Sequence, residues 1–325
     1  MDRRLMMLAS VTMCSCAVAG ALHAQTRYPS RPLTLVVPAS PGGTTDFTAR
    51  LVAEPLSQIL GQPVIVDNKA GAAGNIGNQV VARAKPDGHT LLVAYSGYQV
   101  GNPHLFKKAG WDPIKDFVPV AMMTRAPQIV VVRQGLPFRT LSDLVAYARA
   151  NPGRLNYASS GNGSIQHIAG EMLQQQTGTT LTHVPYKGAG PAVQDLLGGT
   201  VDVFITTPAS VVAHVKADKL KALAVTGGAR LPSLPEVPTV AEVGLPEFKL
   251  DSWFALYAPA GTPEDVVLTL NRALARILAQ EDVQRKAADS GTSVELMTPN
   301  QLGAYTRREL DFWGAVIKAA RITLD

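Results

Sequence analysis

The sequence predicts an α/β protein made of two Rossmann-like domains that face each other across a central cleft. Three observations carry this expectation. Short apolar runs alternate with longer amphipathic ones along most of the chain. Two glycine-rich loops each follow a strand-like run and open a helix-like one. The chain of 325 residues is long enough for two ordinary domains.

In the first round of the pattern, 33–37 reads as strand, 45–60 as helix, 64–66 as strand, 73–84 as helix and 90–94 as strand. The helix from Thr45 sets Leu51, Val52, Leu56, Ile59 and Leu60 near one face and stops at Gly61. Pro55 inside it predicts a kink or a shortened helix. A second round begins with a strand at 129–133 and a helix from Thr140 to Ala150, ended by Asn151-Pro152-Gly153. It continues as strand 155–158, helix 164–176, strand 181–185, helix 190–197 and strands 201–205 and 220–226. The proline-rich stretch 231–238 reads as a surface excursion, and 253–258 as a strand. Helices at 263–280 and 299–320 close the chain, with Phe312 and Trp313 as core anchors. Strands separated by helices predict parallel sheets with right-handed crossovers. The second round is self-contained, whereas the first needs the closing helices to cover its sheet. The expected division is 25–125 plus 251–325 for one domain and 126–250 for the other.

Arg3 and Arg4 precede an apolar stretch at 5–21, and small residues lead to Ala24. Residues 1–24 therefore read as a signal peptide cleaved near Ala24, which places the mature chain in the periplasm. Both cysteines, Cys14 and Cys16, fall in that segment, so the mature fold uses no disulfide. Export removes ATP and NAD from supply, and no cofactor is expected. Charged residues are 17% of the chain, and the net charge of +5 is spread without a Lys/Arg block, which argues against nucleic acid as a partner.

The first loop runs Pro38-Ala39-Ser40-Pro41-Gly42-Gly43-Thr44-Thr45-Asp46. Strand, glycine loop and helix start aim backbone N–H groups and the positive end of a helix dipole at an anion. No Lys or Arg lies within it, so backbone and hydroxyls must meet that anion. Asp46 either orients the loop, accepts from a ligand amine or bridging water, or pairs with Arg50 one turn later. The second loop, Ser159-Ser160-Gly161-Asn162-Gly163-Ser164, repeats the device, with Ser164 as N-cap and His167 just behind. Ligands of open α/β sheets sit beyond the carboxyl ends of strands. Two such loops facing each other could share one end of an acidic molecule. The candidate binding residues are Pro41, Gly42, Gly43, Thr44, Thr45 and Asp46 on one side, and Ser159, Ser160, Gly161, Gly163, Ser164 and His167 on the other.

Sharper chemistries find less support. No Gly-x-Ser-x-Gly elbow occurs, and Ser164 with His167 on one helical turn makes a poor triad, so no catalytic residue is assigned. His167 and Glu171 have i, i+4 spacing, but no other histidine shows ligand spacing, and no metal is expected. Gly71-Ala-Ala-Gly74-Asn-Ile-Gly77 is not a nucleotide fingerprint and reads as close helix–strand packing.

Several motifs agree, in order, with one family. They are Val37-Pro38…Pro41-Gly42-Gly43…Asp46…Ala49-Arg50, Gly71…Gly74-Asn75-Ile76-Gly77, Pro86-Asp87-Gly88 and Asn151-Pro152-Gly153. Ser159…Gly161…Gly163-Ser164…His167…Ala169-Gly170-Glu171, Val184-Pro185-Tyr186-Lys187-Gly188 and Ala258-Pro259-Ala260-Gly261-Thr262-Pro263 complete the set. From about Tyr28 onward the chain resembles the Bug/TctC family, periplasmic substrate-binding proteins of tripartite tricarboxylate transporters. The resemblance implies a type II periplasmic binding protein (Venus flytrap), monomeric and without catalytic activity. It implies a di-/tricarboxylate or other small organic acid as ligand, gripped between the two loops partly through water. Membrane permease subunits would be the partners, or, in the alternative reading, a signalling receptor or sensor kinase. The sequence departs from the family pattern at Ala255, where glycine is expected, and at Thr206-Thr207, in place of acidic or amide residues. Those positions are expected at the distal end of the cleft.

Overall fold

The structure is a computed structural model that describes residues 28–319. The expected signal peptide, with Cys14, Cys16 and the expected cleavage site near Ala24, lies outside the described residues. The chain runs β1 (Leu33–Val37), α1 (Thr44–Leu60), β2 (Val64–Asn68), α2 (Asn75–Ala82), β3 (Thr90–Tyr95), α3 (Asn102–Leu105) and β4 (Phe117–Pro127). It continues as β5 (Ile129–Arg133), α4 (Leu141–Ala150), β6 (Asn156–Ser159), α5 (Ile165–Thr177), β7 (Thr182–Pro185) and α6 (Ala189–Gly198). Next come β8 (Val203–Thr206), α7 (Val212–Lys216) and β9 (Leu220–Val225). It ends with β10 (Asp251–Pro259), α8 (Glu264–Leu278), α9 (Glu281–Asp289), β11 (Ser293–Met297) and α10 (Pro299–Ala319).

Two sheets result, a six-stranded one in the order β11-β4-β10-β3-β1-β2 and a five-stranded one in the order β7-β6-β8-β5-β9. Neither is purely parallel, contrary to the sequence expectation. β1, β2 and β3 pair in parallel, but β10 lies antiparallel between β3 and β4, and β11 is antiparallel to β4. In the second sheet β5 is antiparallel to both β8 and β9. The cause is topological. β4 runs toward the crossing point and passes straight into β5, while β10 returns through the same point and must run the other way.

That crossing is laced by side chains. The Gln128 N–H donates to the Thr226 hydroxyl (2.8 Å), Gln128 Nε2 donates to Ser252 Oγ (2.8 Å), and the Thr226 hydroxyl donates to the Leu250 carbonyl (2.6 Å). The groups come from the β4–β5 crossing, the end of β9 and the crossing into β10, so both crossings are tied at one hinge.

β10 is buried along its whole length after Asp251 and carries the aromatic centre of the first lobe, Trp253, Phe254 and Tyr257. α8 covers that sheet with Val266, Val267, Leu270, Ala273, Leu274 and Ile277, a helical stripe of apolar residues. Pro119 is tolerated inside β4 because it sits where the register to β10 shifts.

Four expectations need correction. Pro55 does not shorten α1, which continues to Leu60 and is fixed by its buried face of Leu51, Val52 and Leu56. Ile59 lies outside that face and is exposed. Phe312 is exposed while Trp313 beside it is buried, because the two side chains leave the helix about 100° apart and only that of Trp313 faces the core here. The stretch 231–238 is not a plain surface excursion, since Leu231, Leu234 and Val237 plug the core of the second lobe. Among the described residues no helix is long and apolar enough to cross a membrane.

Candidate functional site

Loop 41–46 joins β1 to α1 at the carboxyl end of β1. Gly42 adopts a left-handed backbone (φ 86°), which a side chain would oppose. The first-turn N–H groups of α1, at Thr44 to Asp46, have no carbonyl partner within the helix and point out of its positive end. Asp46 is 5% exposed, and its carboxylate is engaged by the protein itself. It accepts from the Gly42 N–H, from Arg50 Nε and from Asn68 Nδ2, each at 3.1 Å. Asn68 also donates to the Ala39 carbonyl (3.0 Å). Of the roles open to it in the sequence, Asp46 takes loop orientation and the pair with Arg50.

Loop 159–164 joins β6 to α5. Ser164 caps α5, its hydroxyl accepting from the His167 N–H (3.3 Å), and the Ser159 hydroxyl accepts from the Gly161 N–H (3.1 Å). Nδ1 of His167 accepts from the Gly163 N–H (3.1 Å), so that ring nitrogen carries no proton. His167 stacks on His183 with centroids 4.2 Å apart, and Nε2 of His183 lies 2.7 Å from Ser159 Oγ. The histidine pair thus braces both flanks of the loop. Glu171 accepts from the Tyr157 hydroxyl (2.7 Å) and from Gln174 (3.0 Å). Among the described residues no group of His, Cys, Asp or Glu is placed to hold a metal ion.

Burial drives the pKa of His167 down, against the pull of Glu171. Burial, and then the neighbouring His167, drive that of His183 down to about 3. A base whose pKa is depressed on folding binds its proton in the unfolded state first. Stability is therefore complete above pH 6.5 and declines as pH falls from 6.5 toward about 3. The melting temperature is expected to drop between pH 6.5 and 5, and His183→Gln to flatten that drop; parallel profiles for the two proteins would show that the pair does not titrate this way.

Each loop meets a different segment of the opposite lobe, rather than simply facing the other loop. Loop 41–46 faces the start of α6 and the end of β8. Ser40 donates to the Lys187 carbonyl through both its N–H (3.2 Å) and its hydroxyl (2.9 Å), and the Thr44 and Thr207 hydroxyls are hydrogen-bonded at 2.6 Å. A Cβ on Gly190 would stand 2.0 Å from the Pro41 carbonyl oxygen, so only glycine allows this approach. Loop 159–164 faces the turn at Gly71 to Gly74 and the residues that follow β3. That turn holds Ala72 and Ala73 in left-handed conformations (φ 46° and 51°), braced by Asn102, which donates to the Ala73 carbonyl (2.8 Å). Gly77 behind it packs directly on Pro38.

Thr44, Thr45, Asp46, Ser159, Ser160 and Ser164 are all more than nine-tenths buried in this closed seam, and His167 is 9% exposed. Gly43, Gly161 and Gly163 are buried with them, while Pro41 and Gly42 stay at the exposed rim. Ala255 sits within the first sheet between Ala94 and Met122. A roomier space of about 630 Å³ lies at the hinge, lined by Arg125, Pro127, Gly227, Asp251 and Gly291, but no residue of either loop borders it. Converging donors, not empty volume, mark the seam as the candidate site.

Sequence reasoning missed Lys187, Gly188 and Gly190, together with Tyr95 and Tyr98, as parts of this seam, and expected Thr207 at the distal end of the cleft where the structure sets it against Thr44. Lys187 and Gly188 follow a strand, β7, just as the two loops do, which was their available signal.

A family model described as "Tripartite tricarboxylate transporter family receptor", TctC, matches residues 48–322. The chain belongs to this family. Protein BugT of Bordetella pertussis (strain Tohama I) is 36% identical over 316 residues, covering 97% of each chain. A solved R. palustris protein with adipate superposes with a TM-score of 0.88 at 36% identity, over 91% of this chain and 99% of that one. MatC from Rhodopseudomonas palustris with bound malate gives 0.85 at 37% identity, over 89% and 100%. The two sheets and their hinge are the two-domain Venus flytrap fold of these family members.

Proposed function

We propose that the mature chain is a periplasmic binding protein that captures a small di-/tricarboxylate or related organic acid and delivers it to a tripartite tricarboxylate-type permease, without chemical turnover. The observation that carries this reading is the pair of strand–glycine–helix loops brought to one seam, rich in N–H and hydroxyl groups and with no Lys or Arg within either loop. Such a seam suits a carboxylate held by dipoles rather than by ion pairs. The relatives solved with adipate and malate support the ligand class. In this reading 25–125 plus 251–325 and 126–250 move as two bodies about Gln128, Thr226 and Ser252. The ligand enters the open cleft, its carboxylate contacts loops 41–46 and 159–164, and the added cross-lobe bonds favour closure.

Thermal-shift screening of the mature chain tests the ligand class. Malate, adipate or citrate at about 100 times its Kd should add about 2.7 kcal/mol of apparent stability by mass action. A shift with uncharged sugars or cations alone would overturn the carboxylate assignment.

A further inference from the structure

Two buried phenols of the first lobe reach into the second lobe's ligand loop. Tyr95 ends β3, and its hydroxyl accepts from the Ile165 N–H (3.0 Å) while donating to Gln166 Oε1 (2.8 Å). Ile165 is the first residue of α5, so its N–H has no partner within the helix. The phenol oxygen occupies the place where the positive end of α5 would draw an anion. Tyr98 lies in the π-helical turn Gly97–Gly101, and its hydroxyl donates to the Ser160 carbonyl (2.8 Å). π-turns are concentrated at functional sites.

The rings are fixed from their own side. Tyr95 stacks on Phe254 with centroids 5.7 Å apart and meets Tyr98 edge-on at 4.9 Å. Gly74 leaves room for Tyr98, since a Cβ there would stand 2.2 Å from the ring. Burial raises the pKa of both phenols, so each remains a protonated donor at neutral pH.

We infer that Tyr95 and Tyr98 are positioning residues that latch the two lobes together, so that the closed form is already populated in exchange with the open one before ligand arrives, and ligand entering the open cleft shifts the balance further toward closure. The consequence is an asymmetric site. The helix end behind loop 159–164 is committed to closure, and the free helix end of α1 is left to the carboxylate. The ligand half of this statement rests on the carboxylate reading; the latch does not.

The mature chain lacks cysteine, so spin labels on Glu54→Cys in the first lobe and Lys219→Cys in the second report lobe separation cleanly. Both positions are exposed. Ligand-free protein should show a short-distance population at the separation seen with saturating malate. Tyr95→Phe with Tyr98→Phe keeps both rings and removes only the two oxygens. That variant should lose most of the short-distance population, and its malate Kd should rise about tenfold, mainly through faster dissociation. Should the double variant fail to fold, Tyr98→Phe alone gives the same readout at smaller amplitude. An unchanged short-distance population in the folded variant, or none in the ligand-free parent, would overturn the latch. Failure of malate to bind the parent would instead count against the carboxylate reading, with the distance measurement still deciding the latch.

Discussion

Gly190→Ala is expected to weaken carboxylate capture by roughly two orders of magnitude while leaving each lobe folded. Gly190 is the second residue of α6, where alanine is the better helix former, so the second lobe itself gains about 1 kcal/mol or stays neutral. The new methyl would stand 2.0 Å from the Pro41 carbonyl oxygen and 3.2 Å from its carbonyl carbon. Both obstacles are backbone, in a loop pinned by Asp46, and neither can swing aside as a side chain would. Relief comes from moving the lobes apart. Separation breaks the bonds from Ser40 to Lys187 and from Thr44 to Thr207, and with them the closed seam. Calorimetric titration and small-angle scattering should report weak binding and a larger radius of gyration at an undiminished melting temperature. Full affinity in this variant would mean that the ligand is not held in the closed seam.

Asp46→Ala is expected to disorganise loop 41–46 and to cost about 1–3 kcal/mol of stability. The substitution strips the Gly42 N–H, Asn68 Nδ2 and Arg50 of their shared acceptor inside a buried site. Arg50 has a side chain 56% exposed and can turn to water, so its ion pair supplies little of that cost. The Gly42 N–H is fixed by its backbone, and the Asn68 amide is tied to the Ala39 carbonyl, so neither can turn away as Arg50 does. Losing their acceptor releases the left-handed turn that aims the first N–H groups of α1. Capture should fall at least tenfold, with Asp46→Asn retaining part of it through the remaining carbonyl oxygen. Urea denaturation and calorimetry check both effects. Wild-type affinity in Asp46→Ala would show that the carboxylate does not position the loop.

The two loops were legible because each is local, an apolar run, a glycine break and a capped helix start within about a dozen residues. β5 was readable to the residue for the same reason, as four β-branched or apolar positions bounded by polar ones. The seam between the lobes was not legible, because its partners are brought together by the hinge. Thr44 and Thr207 are separated by 163 positions, and nothing near either residue indicates the other. β11 escaped notice because it is a short, partly polar strand between two helices, and β4 because Pro119 interrupts its pattern. Its position in the middle of a sheet, not its propensity, makes it a strand. The parallel-sheet expectation followed from counting alternating elements, and it failed where the chain returns through the hinge.

The decisive measurement is amide NMR of the mature chain during titration with malate, adipate and an uncharged control of similar size. Saturable shifts from the acids alone should concentrate at Gly43, Thr44 and Thr45 and at Ser160 and Gly161, the two loops changing together. Acid-induced shifts confined to residues around the hinge cavity, such as Gly227 and Gly291, with both loops silent, would contradict a carboxylate held between the lobes.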